Sequence, residues 1–281
     1  MTLISSSRIA SALALVALLI GCQKSDEHPP FAAGCESKCS PLPGISVGTG
    51  SGAGSGSMNP DSDAGPGTLQ GNVVLLSDDS FVHAALYGNG ATVTADGANG
   101  SPVTAKWDGA DQYLLSGVAR LATNWVSVKP DLVGGDLLLT YQAVQTNGVS
   151  SVDLALISRA TLDGIFNAVA TLRSPDSGQV ILFFRSAGTG AALSGLHVAM
   201  AKAQAAVYAA ASGWTLDDGT AITNQSGLVM FGNVEPANSA GTQTVTVTRA
   251  ATATMGAAAA GQFAVKVVQA AVTIATVNVQ L

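Results

Sequence analysis

Thr244-Val245-Thr246-Val247-Thr248 alternates a polar and an apolar β-branched residue at every step. A period of two puts the valines on one face of a pleated strand and the threonines on the other. That is a strand with one face on a core and one in water, and branched side chains suit it. Three neighbouring stretches read as strands of the same kind: Leu228-Val-Met-Phe-Gly-Asn-Val234, Phe263-Ala-Val-Lys-Val-Val268 and Ala271-Val-Thr-Ile-Ala-Thr-Val-Asn-Val279. Upstream, Gln179-Val-Ile-Leu-Phe-Phe184 reads as a buried strand, Ala187-Gly-Thr-Gly190 as a turn and Leu196-His-Val-Ala-Met200 as the next strand. Residues 199–211 set two rules against each other. Their alanines favour a helix, whereas Val198, Val207, Tyr208 and the surrounding texture favour strands; strands are expected. Asp217-Asp218-Gly219 is a turn.

The same region carries a family resemblance. Thr223-Asn-Gln-Ser-Gly227-Leu-Val-Met-Phe231-Gly-Asn-Val234 resembles the central signature of carboxypeptidase regulatory-like domains: Thr-Asp, two residues, Gly, then an alternating strand ending Phe-x-Asn-Leu. Leu193-Ser-Gly-Leu-His-Val198 resembles the start of the family's second strand, and Gly261-Gln-Phe-Ala-Val-Lys-Val267 its Gly-x-Tyr-x-Val-x-Val strand. The resemblance covers residues 177–281 and implies a small transthyretin-like, Ig-like β-sandwich. It specifies fold more than function. Asn224 stands where the family has aspartate, and alanine fills several larger positions.

Before that unit, Ser158 is a good N-cap, and Leu162, Ile165, Phe166 and Val169 share one helical face. A short amphipathic helix is expected over 159–170, weakened by Gly164, within a linking segment at 150–176. Earlier still, short β-type runs recur between turns. They are Gln70-Gly-Asn-Val-Val-Leu-Leu76, Ala91-Thr-Val-Thr94 closed by Asp96-Gly97, Gln112-Tyr-Leu-Leu115, Trp125-Val-Ser-Val128 and Leu137-Leu-Leu-Thr-Tyr-Gln-Ala-Val144. Residues 68–149 therefore form a first sandwich unit. Gly71-Asn-Val-Val74 and Tyr113-Leu-Leu-Ser-Gly-Val118 weakly match the second unit's opening and central strands, as a divergent copy would. The expected fold is all-β: two small tandem β-sandwich units with a short linking helix, after a disordered N-terminal stalk.

Residues 22–67 read as that stalk. Pro29-Pro30, Pro41 and Pro43 break regular elements, and Gly48-Thr-Gly-Ser-Gly-Ala-Gly-Ser-Gly56 is a flexible linker. As a Gly-rich coil, residues 40–67 would average about 30 Å end to end. The glycines follow no strand and open no helix, so they are not a phosphate cradle. Asp61-Ser-Asp63-Ala-Gly65 lacks the later ligands of a calcium loop and reads as a polar turn.

The chain begins with Arg8, then an apolar run at 9–20, then Leu19-Ile20-Gly21-Cys22. A basic start, an apolar middle too short to span a bilayer and a small residue before the cut are the parts of a secretory signal at 1–21. Gly21-Cys22 resembles the lipobox of bacterial lipoproteins. The resemblance implies cleavage before Cys22 and diacylation of its thiol. Two or three acyl chains, at about 0.8 kcal/mol per buried CH₂, hold a protein firmly where one does not. Gln23 rather than aspartate follows the cysteine, which leans towards the outer membrane of a Gram-negative envelope.

Removing the first 21 of 281 residues leaves 260, enough for two small domains and a tail. The chain carries 12 basic and 18 acidic residues, and loss of Arg8 leaves 11 against 18. An acidic surface argues against nucleic acid as a partner, which needs a basic footprint. It also argues against electrostatic adhesion to anionic lipid. The partners expected are the membrane, through the lipid, and an envelope protein or polysaccharide.

Cys35 and Cys39 remain as an even pair that can close a small disulfide loop outside the cytoplasm. Free thiols are the alternative. A metal site would need more ligands than the nearby His28 and Glu36. No cofactor is expected.

The catalytic inventory is poor. His28, His83 and His197 stand in no HExxH spacing, and no Gly-x-Ser-x-Gly elbow occurs. The adjacent pairs Asp78-Asp79 and Asp217-Asp218 read as turns rather than acid–base couples. Trp107, Trp125 and Trp214 read first as core, with a sugar-stacking face as the other possibility. The expectation is a lipid-anchored, non-enzymatic envelope protein that binds or scaffolds. The alternatives are a carbohydrate-binding surface module and a serine hydrolase with a dispersed triad drawing on His83 or His197.

Overall fold

In a computed structural model the described residues are 44–47, 65–81, 83–120, 123–132, 135–146, 148–236, 241–251 and 258–280. Cys22, Cys35, Cys39, the signal segment 1–21 and the stalk residues 22–43 and 48–64 lie outside them.

Within the expected stalk, Gly44–Val47 forms strand β1. Ten further strands lead to the helix: β2 Gly67–Gly71, β3 Val73–Leu76, β4 Ala84–Leu86, β5 Ala91–Asp96, β6 Pro102–Trp107, β7 Tyr113–Val118, β8 Thr123–Pro130, β9 Leu139–Gln145, β10 Val149–Ser151 and β11 Leu154–Ile157. Helix α1 spans Arg159–Ala168, and eight strands follow: β12 Gly178–Ser186, β13 Leu196–Met200, β14 Ala205–Ala210, β15 Gly213–Leu216, β16 Leu228–Val234, β17 Thr242–Arg249, β18 Ala258–Lys266 and β19 Ala271–Val279. The fold is all-β, a tandem β-sandwich with one short helix among the described residues. The alanine-rich stretch is indeed strand, because β14 pairs with β15 on one side and β16 on the other.

One long sheet runs β15-β14-β16-β12-β19-β9-β8-β5-β6. Its middle seam is parallel: β19 pairs with β12 along one edge, and with β9 through Ala271↔Leu139 to Ile274↔Gln142 along the other. Beyond that register β1 takes the second edge, from Gly44↔Thr276 to Val47↔Val279. Edge groups of β19 that would otherwise lie open are thus paired.

Three smaller sheets cover the long one. The β13-β17-β18 sheet closes a core on one face, where Leu182, Phe184, Val229, Phe231 and Val277 meet Val198, Val245, Val247 and Phe263. The β10-β2-β7 and β11-β3-β4 sheets lie over the opposite face. There Leu69, Tyr113, Leu115, Leu154 and Leu156 pack on Val93, Trp107, Val126 and Val128. Neighbouring residues of β9 show the arrangement, since Ala143 belongs to the first core and Val144 to the second.

A third core joins the two. Leu162, Ile165 and Phe166 of α1, with Ala155 and Ile157 of β11, cover Ile181, Phe183, Met230, Val272 and Ile274. Here the sequence expectation needs correction. β16 and β19 are not half-wet strands: both are covered on both faces, and Thr273 is buried with its hydroxyl donating to the Lys266 carbonyl at 2.5 Å. The alternation holds for β17, whose valines are buried and whose other face is partly open. The helix accounts for one face, because its apolar stripe needs a partner and takes the outer face of β12 and β16. Thr273 lies on the other face of β19, with Ala275 and Val277 and beside the end of β18. Ser158 caps it as expected, its hydroxyl accepting from the Thr161 N–H at 2.9 Å.

Candidate binding cleft

Three segments, 79–80, 209–214 and 224–228, line a cleft of about 440 Å³, within the range of small-molecule sites. One wall is the β14–β15 hairpin. Ala210 pairs with Gly213 across the two-residue turn Ala211-Ser212, and Gly213 has φ +119°, which favours glycine. Ala209, Ala210 and Ala211 leave that wall low.

Trp214 is the large side chain of the hairpin, half-buried and held from two directions. Its indole N–H donates to the Asp79 carbonyl at 3.1 Å. Its ring meets Phe81 edge-on, with centroids 6.0 Å apart. Phe81 is fully buried, also packs edge-on against Phe183, and holds a left-handed backbone at φ 55°. The turn carrying Asp79 and Ser80 is therefore fastened to the core beneath it. Asp78 stabilises that turn, accepting from the Ser80 hydroxyl at 2.8 Å and contacting His83 Nδ1.

The third wall is the loop before β16. Asn224 Oδ1 accepts from the Ser226 N–H at 2.8 Å and from its hydroxyl at 2.6 Å. The Gly227 N–H closes the turn on the Asn224 carbonyl at 3.1 Å, with Gly227 at φ +66°. Thr223 anchors the loop to β13: its N–H donates to the Leu196 carbonyl at 2.8 Å, its carbonyl accepts from the Gly195 N–H at 2.8 Å and its hydroxyl accepts from the Leu196 N–H at 3.0 Å. The segment that resembles the regulatory-like signature thus forms a wall of the cleft.

The sequence-predicted residues are scattered. Trp107 is buried, donating its indole N–H to the Tyr87 carbonyl at 2.8 Å, and Trp125 packs beside the first core. The three tryptophans therefore do not form one stacking face, and Trp214 alone of them lines the cleft. Ser80 and His83 both engage Asp78, so the serine hydroxyl is committed to the carboxylate rather than to the histidine. A nucleophile–base pair needs the latter contact. His197 Nε2 stands 3.7 Å from Asp217 Oδ2, and His28 lies outside the described residues.

Asp217 and Asp218 are turn residues. Asp217 Oδ1 accepts from the Gly219 and Ala221 N–H groups, and Asp218 from the hydroxyl and N–H of Thr220. Those Thr220 bonds hold the exposed Asp218 carboxyl below the usual range. Tyr208 on β14 is structural too: burial pushes its phenol up to about 12 while it bridges the N–H and carbonyl of Val198. Among the described residues, no group of three or more His, Cys, Asp or Glu side chains is placed to hold a metal. No described helix is long and apolar enough to cross a membrane.

No family model matches the chain, and no curated protein matches it. Among solved structures, the chain is similar to a shaft pilin of Lactobacillus rhamnosus GG at 9% identity and a TM-score of 0.21, over 75% of this chain and 97% of the pilin. The major pilin subunit of Bacillus cereus matches at 12% identity and 0.24, over 69% of this chain and 60% of that one. A candidate carbohydrate-binding protein of Bacteroides uniformis matches at 8% and 0.22, over 72% of this chain and 100% of that one. At such low superposition these likenesses say nothing of what this chain binds.

Proposed function

We propose that the chain is a lipid-anchored protein of the cell envelope that acts by binding, not catalysis. Leu19-Ile20-Gly21-Cys22 supports cleavage and lipidation at Cys22, and Gln23 supports an outer-membrane destination. In this reading residues 22–67 tether two units, 68–149 and 177–281, joined through 150–176, and Cys35 and Cys39 close a small loop in the tether. The second unit is read as a carboxypeptidase regulatory-like, transthyretin-like sandwich on the residues at 223–234. The observation that carries the binding role is the cleft beside Trp214. A fixed aromatic ring, small neighbours and uncommitted polar groups converge there without a nucleophile–base pair. Acylation supplies membrane affinity and the sandwich supplies the surface.

The anchor is tested by Cys22→Ser. The variant should accumulate in the soluble envelope fraction, while the parent protein sediments with membranes and leaves them only in detergent. A Cys22→Ser protein that still sediments with membranes, as the parent does, would show that the anchor lies elsewhere.

A further inference from the structure

We infer that the cleft beside Trp214 binds a neutral saccharide. This rests on the reading of that cleft as a binding surface and adds the class of ligand.

Charge narrows the class first. Among the described residues the cleft is lined by Asp79 and by no lysine, arginine or histidine, and the chain as a whole carries −6. An anionic ligand would find no counter-charge, which disfavours phosphates, nucleotides and acidic sugars. A cationic ligand would find Asp79 alone on an open surface, where an ion pair contributes little.

The remaining groups suit a hydroxyl-rich ring. Pyranose rings have an apolar face and a hydroxylated rim. The indole of Trp214 supplies an apolar aromatic surface, already fixed by Asp79 and Phe81, so little side-chain freedom is lost on binding. Ala210 and Ala211 leave room beside it where larger side chains would fill the space. Asn224 spends its Oδ1 on Ser226, which leaves its amide N–H groups as donors for a ligand. The hydroxyl of Ser212 can donate or accept. The cleft thus brings together the Trp214 ring, the Ser212 hydroxyl of the same hairpin and the Asn224 amide of the loop before β16.

The test is isothermal titration of the full mature chain carrying Cys22→Ser. The probes are cellotetraose, maltotetraose, chitotetraose and xylotetraose, with tetragalacturonate and an extended apolar peptide alongside. At least one neutral tetrasaccharide should bind. Ala211→Trp adds bulk at an exposed turn position without removing a contact, and should weaken that binding at least about tenfold. Trp214→Phe, which keeps a ring against Phe81, should weaken it less than Ala211→Trp does. If no neutral tetrasaccharide binds, the saccharide assignment is overturned. Binding of tetragalacturonate or the peptide alone, lost in Ala211→Trp, would also overturn it while leaving the cleft a binding site. Neutral saccharide binding undiminished in both variants would overturn the cleft itself.

Discussion

Gly227→Ala should destabilise the protein by about 3–5 kcal/mol, the sum of backbone strain and a steric overlap that nothing nearby can relieve. Gly227 holds φ +66°, a conformation that costs a residue with a Cβ about 1–2 kcal/mol. An added Cβ would also stand 2.4 Å from the Phe184 carbonyl oxygen and 3.1 Å from the Leu193 N. Both neighbours are backbone, tied into β12 and its turn by the Leu193 N–H bond to the Phe184 carbonyl at 3.0 Å. Neither can step aside as a side-chain tip would. The loop must move instead, taking Asn224 and Ser226 with it. A thermal midpoint about 10 °C lower is expected, with cleft binding lost before global unfolding. Differential scanning calorimetry reads the first effect, and a midpoint unchanged by Gly227→Ala would refute the turn's rigidity.

Phe166→Ala should cost about 3–5 kcal/mol, as large-to-small changes at buried aromatic positions do. Phe166 is 1% exposed and lies on the face of α1 that covers β12 and β16. Its ring sits over Gly232, where an added Cβ would meet Cζ at 2.3 Å and Cε1 at 2.4 Å. The glycine provides the slot that lets the helix approach the sheet. Gly232→Ala alone should therefore destabilise as well, by about 1–3 kcal/mol of overpacking. The two changes together should cost less than their sum, because the lost ring makes room for the new methyl. Urea unfolding of both single variants and the double variant measures this coupling. Strict additivity would mean that the ring and the glycine do not share that space.

Much of this fold is legible along the chain, because strands and caps carry local signals. β16 and β19 begin and end where the apolar runs do, and Ser158 marks the start of α1. The stretch after Val198 is strand despite its alanines, since Val207 and Tyr208 each fill a core position that intrinsic propensity ignores. What local reading misses is long-range. The parallel seam of β19 with β9 joins residues more than a hundred positions apart and leaves no turn chemistry to betray it. That seam makes β19 a central strand covered on both faces, by α1 over Val272 and Ile274 and by the β13-β17-β18 sheet on the side of Thr273, which is why its threonines are buried. β6 and β15 are largely exposed strands at the two ends of the long sheet, and β15 is only four residues long. The cleft is the least legible feature, because its walls come from three separate loops and turns. Its sequence traces are a tryptophan directly after Ala209-Ala210-Ala211-Ser212-Gly213 and the signature-like turn at residues 224–227, neither of which points to the other.

The most direct test of a binding protein is to ask whether its cleft is occupied where the protein works. Hydroxyl-radical footprinting can be run on intact cells and on the purified chain, with mass spectrometry reading oxidation at Trp214 and at Leu172, which is 84% exposed. Leu172 should oxidise equally in both samples. Trp214 should oxidise markedly less in cells, because a ligand covers its ring. Equal oxidation of Trp214 in cells and in isolation would contradict a binding role for this cleft.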